Sequence, residues 1–477
     1  MKIIVVGCGK VGYTIAKGLS AKKNADVTVV EIDQGAIDAS SEDIDAIFVL
    51  GSGLSEKTLV EAGARHAELI VCTAGADESN ILCCIMAKKL GTKHTAARVR
   101  NPEYALEFSK LLEELGIDMA INPEQQTARE ISRLLRYPAA ENIELFAGGR
   151  IELVSFKVSE APDYFEGKTV SQIFDKKMGI LLVAVERGQR ALVPNGDFVF
   201  ERSDSVKILG RPSNIYKFFT HIKNLQRTRE IMIVGGGSIA YYLAELLFRH
   251  TEKPKIKIIE KDRGKCEKLQ DALAEVARGC LFICGDGTDE ELLLAEQIES
   301  MDAFVCLTDR DEENAIISLY ALQTGVNKVV TKLNHLRENM VKNLGLKSIV
   351  TPHSITAAIV DRYVDGLAGI TGTSVRTIHR IFSSGNEYVE AVEFNAGKRA
   401  KCLGLPIKKL KLKKDILIGC IARGAEIIFP SGDAQLQPDD NVIIIAKNSD
   451  IRELDDILAS KGETAANPAE SGEQDLV

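Results

Sequence analysis

Two stretches of this chain, about 230 residues apart, spell one pattern, and a duplication of that length dictates paired domains, not a solenoid of small repeats. Ile3-Ile4-Val5-Val6 runs into Gly7-Cys8-Gly9-Lys10-Val11-Gly12, and Ile231-Met232-Ile233-Val234 runs into Gly235-Gly236-Gly237-Ser238-Ile239-Ala240. Glu31-Ile32-Asp33 returns as Glu260-Lys261-Asp262, Gly51-Ser52-Gly53 as Gly285-Asp286-Gly287, and Asp77-Glu78-Ser79-Asn80 as Asp311-Glu312-Glu313-Asn314. A fold for this sequence has to place each of these segments twice in equivalent surroundings.

Within each copy, short apolar runs alternate with helical patterns, which predicts βαβ units and a buried parallel sheet. In the first copy the runs are Ile3 to Val6, Val27 to Val30, Ala46 to Leu50, Leu69 to Cys72 and Thr95 to Val99. The character then changes. Ile151 to Val158 alternates with period two, Thr169 to Phe174 predicts a short helix, and Ile180 to Val185 an apolar strand. Arg187-Gly188 and Pro194-Asn195-Gly196-Asp197 are turn signals, repeated as Arg423-Gly424 and Pro430-Ser431-Gly432-Asp433, and the P-x-G-D turns read as hairpins. The fold class expected is α/β: two Rossmann-like lobes with doubly wound parallel sheets, at 1–138 and 227–367, each followed by a small α+β lobe, at 139–226 and 368–460. Residues 461–477 are polar and aperiodic and are expected to be a disordered tail.

The 477 residues carry a net charge of −8, which argues against a general nucleic-acid binder, since phosphate neutralisation needs a basic surface. No apolar run approaches the 18 or so residues that span a bilayer, and the first one breaks at Gly7, too early for a signal-peptide core. These features predict a cytoplasmic protein with no membrane insertion of its own. The ten Cys lie mostly in apolar stretches without C-x-x-C spacing and read as buried reduced thiols, with Cys83 and Cys84 pointing in different directions on a helix. The seven His are scattered, so no metal site is expected.

Gly7, Gly9 and Gly12 fit G-x-G-x-x-G, in which a tight turn brings backbone N–H groups and a helix N-terminus against a pyrophosphate. Glu31 follows about 20 residues later at the end of a second strand, where a carboxylate holds a ribose 2′-hydroxyl and repels a 2′-phosphate. That combination predicts NAD in preference to NADP. Ligands in open parallel sheets sit beyond the strands' carboxyl ends, which adds Asp33 and Thr73-Ala74. Arg98 and Arg100, two apart on a predicted strand, share a face and suit phosphate, the alternative being pairing with Asp77 or Glu78. Lys332 and Asn334 stand at the matching positions of the second copy. Its equivalent set is Gly235, Gly236, Gly237, Ser238, Ile239, Glu260, Thr308 and Lys332, with Asp286 particular to that copy because Ser52 stands opposite it. Asp77, Asn80, Asp311 and Asn314 read as helix caps, and Cys8 as structural.

A nicotinamide dehydrogenase would carry a substrate domain with a His, Lys or Tyr placed for proton transfer. Here the small lobe is dominated by turns and apolar strands and is itself duplicated, so an NAD-dependent oxidoreductase is the alternative and not the first reading.

With these motifs in order, together with Ala97-Arg98-Val99-Arg100-Asn101-Pro102-Glu103-Tyr104, the chain over about 1–460 resembles the TrkA family, peripheral subunits of Trk potassium uptake systems built from tandem RCK (regulator of potassium conductance) units. The resemblance implies a non-enzymatic regulator that binds NAD(H) and related nucleotides such as ATP and ADP. It implies a homo-oligomer forming a tetrameric ring of RCK domains, and a Trk-type potassium-translocating membrane subunit as partner at the inner face of the cell membrane. By motif, Gly7 to Gly12, Glu31, Thr73-Ala74 and Arg98 would hold nucleotide in the first copy, and Gly235 to Ser238 with Glu260 in the second. The first socket, with Gly12 and Arg98, reads as the better armed.

Overall fold

A computed structural model of the chain describes residues 1–22, 25–101, 109–188, 190–222, 228–250, 254–274, 279–334, 344–346, 348–370, 375–384, 387–397, 400–448 and 451–459; the 461–477 tail lies outside them. The chain begins with six strands, β1 (Lys2–Val6), β2 (Asp26–Glu31), β3 (Ile47–Leu50), β4 (Leu69–Cys72), β5 (His94–Arg98) and β6 (Met119–Ile121). All pair in parallel, in the order β3-β2-β1-β4-β5-β6. Ile3, Ile4 and Val5 have no exposed surface, because helices cover both faces of the central strands and demand unbroken apolar runs. The order reverses between β1 and β4, which opens a crevice at their carboxyl ends.

The next five strands, β7 (Ala140–Phe146), β8 (Ile151–Lys157), β9 (Ile180–Arg187), β10 (Arg190–Leu192) and β11 (Ser205–Gly210), make an antiparallel sheet ordered β10-β9-β11-β8-β7. The parallel design then recurs as β12 (Glu230–Val234), β13 (Lys255–Glu260), β14 (Cys280–Cys284), β15 (Ala303–Cys306), β16 (Lys328–Lys332) and β17 (Ser348–Val350), in the order β14-β13-β12-β15-β16-β17. A second antiparallel sheet follows, β18 (Val375–Ser384), β19 (Glu387–Asn395), β20 (Ile416–Arg423), β21 (Glu426–Ile428) and β22 (Asn441–Lys447), ordered β18-β19-β22-β20-β21.

The chain divides into two compact units, Met1–Ser132 with Arg229–Val364 and Arg133–Thr228 with Asp365–Val477. The first holds both parallel sheets, tied by Lys22 to Asp361 at 2.7 Å and by Asn122 Nδ2 donating to Tyr242 Oη at 3.0 Å. The second holds both antiparallel sheets, which share an apolar core: Leu153, Leu181, Val183 and Leu209 of one pack with Val389, Ala391, Cys420, Ile443 and Ile445 of the other. At Gly419 a Cβ would meet Leu209 Cδ2 at 2.9 Å, so the sheets approach most closely where the side chain is absent. On its other face the first antiparallel sheet carries the aromatic cluster of Phe156, Phe165, Phe200, Phe218 and Phe219.

Three sequence expectations are corrected. The P-x-G-D segments are not hairpins. β10 pairs only with β9, and residues 193–204 form a loop laid against the helix Val170–Ile173, whose Ser171 Oγ donates to the Gly196 carbonyl at 2.7 Å; Lys408 N donates to Gly432 O at 2.8 Å in the second copy. A turn tetrapeptide fixes a bend, not the partner of the strand that follows. Next, Cys83 and Cys84 face one core together with Cys72, because the helix Asp77–Leu90 is covered widely enough to bury both. Finally, Cys284 is exposed and Cys280 half-buried, since β14 is an edge strand; the other eight thiols are buried. Among the described residues no group of His, Cys, Asp and Glu forms a metal site, and no helix is long and apolar enough to cross a membrane.

Candidate functional site

Both glycine turns leave the carboxyl end of a central strand in the left-handed region that glycine allows, Gly7 at φ +91° and Gly235 at φ +101°. Gly7 N donates to Val30 O at 2.8 Å and Gly235 N to Ile259 O at 2.9 Å, which pins each turn to the neighbouring strand. A Cβ on Gly12 would stand 1.9 Å from Gly7 O and 2.6 Å from Thr73 Oγ1, so the third glycine is a packing requirement. Thr73 Oγ1 donates to Val6 O at 3.0 Å and to Gly7 O at 3.1 Å; in the second copy Leu307 replaces Thr73 and Ala240 replaces Gly12. Side chain and missing side chain have changed together. A Cβ on Gly9 or Gly237 would meet nothing within 4 Å, so both turns present bare backbone to open space. Gly9 occupies the cap position of the helix Lys10–Ser20 without a side-chain cap or an acidic first turn, leaving its N–H groups to a ligand.

The strand-end carboxylates lie across these turns. Glu31 Oε2 accepts from Cys8 N at 2.5 Å and Oε1 from Ile32 N at 2.7 Å and Asp33 N at 3.1 Å. Glu260 Oε2 accepts from Gly236 N at 2.7 Å and Oε1 from Asp262 N at 2.9 Å. Asp33 caps the helix Gln34–Ser41 through Gly35 N at 2.9 Å, which turns it away from a ligand role. Cys8 is buried, its Sγ bonded to Ser40 at 3.3 Å and its pKa raised by burial.

Asp77 and Asn80 do not cap their own helix, contrary to the sequence expectation. Asp77 Oδ2 accepts from Arg100 N and Asn101 N, both at 2.8 Å. Asn80 accepts from Ala74 N at 2.7 Å and donates to Ala74 O at 3.1 Å and Arg98 O at 3.0 Å. Asp311 and Asn314 repeat the device, Asp311 accepting from Asn334 N at 2.8 Å and Asn314 donating to Lys332 O at 2.9 Å and accepting from Thr308 Oγ1 at 2.6 Å. In each copy an Asp and an Asn one helical turn apart tie the loops after the fourth and fifth strands together.

The structure also parts the two arginines. β5 ends at Arg98, so Arg100 lies beyond it; its Nε is 3.6 Å from Asp77 Oδ1 and its guanidinium donates to Gly75 O. Arg98 faces a cavity of about 1200 Å³, with Nη2 3.7 Å from Glu124 Oε1 and its buried Nε without a hydrogen-bond partner. Burial pulls the Arg98 pKa down and Glu124 opposes that shift. A part-buried guanidinium in the cavity wall, with one N–H unsatisfied, fits an anionic ligand.

That cavity collects both copies. Gly9, Lys10, Val11, Thr73 and Arg98 line it from the first, and Gly235, Gly236, Gly237, Ser238, Ile239, Glu260, Asp286, Thr308 and Lys332 from the second. Gly7, Cys8, Gly12, Glu31, Asp33, Ala74 and Arg100 are not among the residues lining it. Most of its wall belongs to the second copy, so the ranking that put the first socket ahead does not describe this cavity. Buried Lys332 pairs with Asp309 at 3.2 Å, and Lys261 pairs with Asp286 at 2.5 Å, which with Thr288 holds the Asp286 pKa down to about 2. Glu124, Tyr242 and His353, also in the wall, went unremarked in the sequence; the parallel between Asn122-Pro123-Glu124 and Thr351-Pro352-His353 was the signal that pointed to two of them.

A tandem of glycine-turn α/β lobes and small antiparallel lobes, built twice, defines an RCK-type fold. The TrkA-N domain family matches residues 3–123 and again 231–352, and the TrkA-C domain family matches 153–223 and 391–459. The chain is 32% identical over 468 residues to Trk system potassium uptake protein TrkA homolog 1 of Methanosarcina mazei, covering 95% of this chain and 99% of that one. It is 30% identical over 455 residues to Trk system potassium uptake protein TrkA of Haemophilus influenzae, covering 93% and 95%. Among solved structures, the GsuK channel bound to NAD superposes with a TM-score of 0.60 at 18% identity, over 93% of this chain and 76% of that one. The chain belongs to the TrkA family.

Proposed function

We propose that this protein is a nucleotide-sensing regulatory subunit of a Trk-type potassium uptake system, binding NAD(H), and related nucleotides such as ATP and ADP, at its glycine turns. The observation that carries this reading is the pair of bare-backbone turns facing one cavity of about 1200 Å³ whose wall includes Arg98, Lys10 and Lys332. The volume is ample for a dinucleotide. The cationic groups and uncapped helix start suit its phosphates, and the strand-end carboxylates Glu31 and Glu260 suit ribose hydroxyls. A bound dinucleotide would supply the charged phosphates that Lys10, Arg98 and Lys332 would hold. The names of the relatives supply the transport system. In this reading the nucleotide lobes are 1–138 and 227–367 and the small lobes 139–226 and 368–460, and a tetrameric ring at the inner face of the membrane passes the nucleotide's effect to the potassium-translocating subunit.

Tight binding alone regulates nothing. A ligand biases a conformational equilibrium only by its differential affinity, so a tenfold preference for one state supplies about 1.4 kcal/mol. Isothermal titration of the full chain with NAD⁺, NADH and ATP is the direct test, and the expected result is saturable binding with different affinities. Absence of binding by all three at millimolar concentration discards the reading, and steady consumption of NADH absorbance with carbonyl substrates would replace it with an oxidoreductase.

A further inference from the structure

The ribose corners of the two sockets carry different charges. After Glu31 the first copy presents Ile32, 71% exposed, then Ala36 and Ala39; after Glu260 the second presents Lys261, Lys265 and Lys268 at the same positions, all three in the cavity wall. Lys265 and Lys268 lie in the first turns of the helix Arg263–Leu273, which has no acidic residue in its first turn. Cations at that end oppose the helix dipole, an arrangement that destabilises the helix unless an anion sits among them. The acidic groups facing them are Glu260, whose oxygens are held by Gly236 N and Asp262 N, Asp286, Glu313, which acts on Lys261 against Arg310, and Asp262, which caps the helix through Lys265 N at 2.9 Å. Asp286 keeps two bonds from Thr288, at 3.0 and 2.8 Å, so Lys261 can leave it without orphaning a carboxylate.

Given glycine-turn binding as proposed above, the glycine turn and Glu260 fix where an adenosine ribose lies; Glu260 alone disfavours a 2′-phosphate as Glu31 does, and the three basic side chains after it, which the first copy lacks, offset that charge and are positioned for a phosphate on the 2′-oxygen. We propose that the second socket takes the 2′-phosphorylated dinucleotide, NADP(H), while the first takes NAD(H). The duplication thus gives one chain two sockets of different specificity, and the second copy's lysines are the specificity determinant.

The test titrates NADP⁺ and NAD⁺ into the full chain and into Lys261→Ile/Lys265→Ala/Lys268→Ala, which installs the first copy's residues at exposed positions; an unchanged melting temperature verifies its fold. The expected result is one class of site that prefers NADP⁺ by at least about tenfold, a difference of about 1.4 kcal/mol, and loss of that preference in the triple variant. The preference should weaken steeply with salt, and 2′-phospho-ADP-ribose should displace NADP⁺ where inorganic phosphate does not. Four outcomes overturn the assignment: equal or weaker NADP⁺ binding, a preference that survives the triple variant, displacement by inorganic phosphate as effective as by 2′-phospho-ADP-ribose, or no binding of either dinucleotide. NAD⁺ binding without an NADP⁺ preference leaves the proposed function standing, whereas absence of binding by both removes the two readings together.

Discussion

Glu31 closes the glycine turn by accepting from three backbone N–H groups, and in the proposed reading the same carboxylate places negative charge at the ribose corner. Glu31→Ala leaves those donors to water or to nothing, and a cost of about 1–3 kcal/mol is expected in urea denaturation. The same variant should lose discrimination against NADP⁺, read in a chain whose Lys261, Lys265 and Lys268 are neutralised so that the second socket contributes no NADP⁺ preference. Unchanged selectivity would remove the ribose role and leave Glu31 purely a turn closure. A second carboxylate sets a pH dependence. Burial raises the Glu144 pKa from its ordinary 4.5 to about 7, against the lowering effects of Lys207 and Asn142. Between those values the folded state holds a proton that the unfolded state has released, so stability falls as pH rises through the window and is level above it. Glu144→Gln should flatten that slope and stabilise the protein near pH 8 by about 2–3 kcal/mol, measured as denaturation midpoints across pH 4 to 8. A slope that persists in the variant assigns it to another group.

At the scale of elements, both small lobes are locked by an ion pair between a buried carboxylate and a part-exposed arginine. Arg187 Nε and Nη2 donate to the two oxygens of Asp204 at 2.7 and 2.8 Å, and Arg423 does the same to Asp440 at 2.9 Å for each bond. Arg187 also reaches Val199 O and Arg423 reaches Gln435 O, both at 2.8 Å, so each guanidinium ties the end of a strand to the loop that follows. Asp204 and Asp440 are fully enclosed. Asp204→Ala removes two charge-assisted bonds but leaves Arg187, 28% exposed, paired with Glu201 at 2.6 Å, so a cost of about 1.5–3 kcal/mol is expected, seen as an earlier thermal transition, with Asp440→Ala behaving alike. A loss under 1 kcal/mol would mean that Glu201 and solvent suffice for Arg187. The sequence presented these arginines only as turn neighbours in Arg187-Gly188 and Arg423-Gly424. Period and composition made β1, β2 and β4 legible because a strand buried on both faces is apolar through its middle, and β3 read as apolar although Ile47 and Leu50 are exposed at the sheet edge, whereas β6 and β17 are three residues long and show no period. Asp77 and Asn80 misled for a related reason: a helix start favours caps, and only the tertiary approach of the Arg98 to Asn101 loop offers these side chains other N–H groups. Gly12 with Thr73 and Ala240 with Leu307 were visible as exchanges between copies, but their coupling appears only where the turn meets the fourth strand.

In the unit that carries both glycine turns, what could not be read was their convergence on one cavity, because nothing local to either copy encodes how it faces the other. Tyr242 sits at that junction. It is 2% exposed, accepts from Asn122 Nδ2 at 3.0 Å and lies 3.4 Å from Arg100 O, so a residue of the second turn's helix touches the loop that Asp77 braces in the first copy. Burial pushes its phenol up to about 12, which keeps the hydroxyl a neutral donor at working pH. Tyr242→Phe removes both bonds of the hydroxyl and keeps the ring; Asn122 Nδ2 and Arg100 O retain each other at 2.9 Å, so the stability cost is expected to be about 1–2 kcal/mol. The larger effect should fall on communication. If ligand at one turn alters affinity at the other, linkage requires the effect to be equal in both directions, and this hydroxyl is a contact through which the two loops sense each other. Titrating the second nucleotide with the first saturating, and then in the reverse order, should show a coupling that falls by about 0.5–2 kcal/mol in Tyr242→Phe with each separate affinity nearly kept. Coupling that persists unchanged would assign communication to the shared cavity's ligands themselves, one nucleotide's charge felt directly by the other, and its salt dependence would then distinguish field from contact.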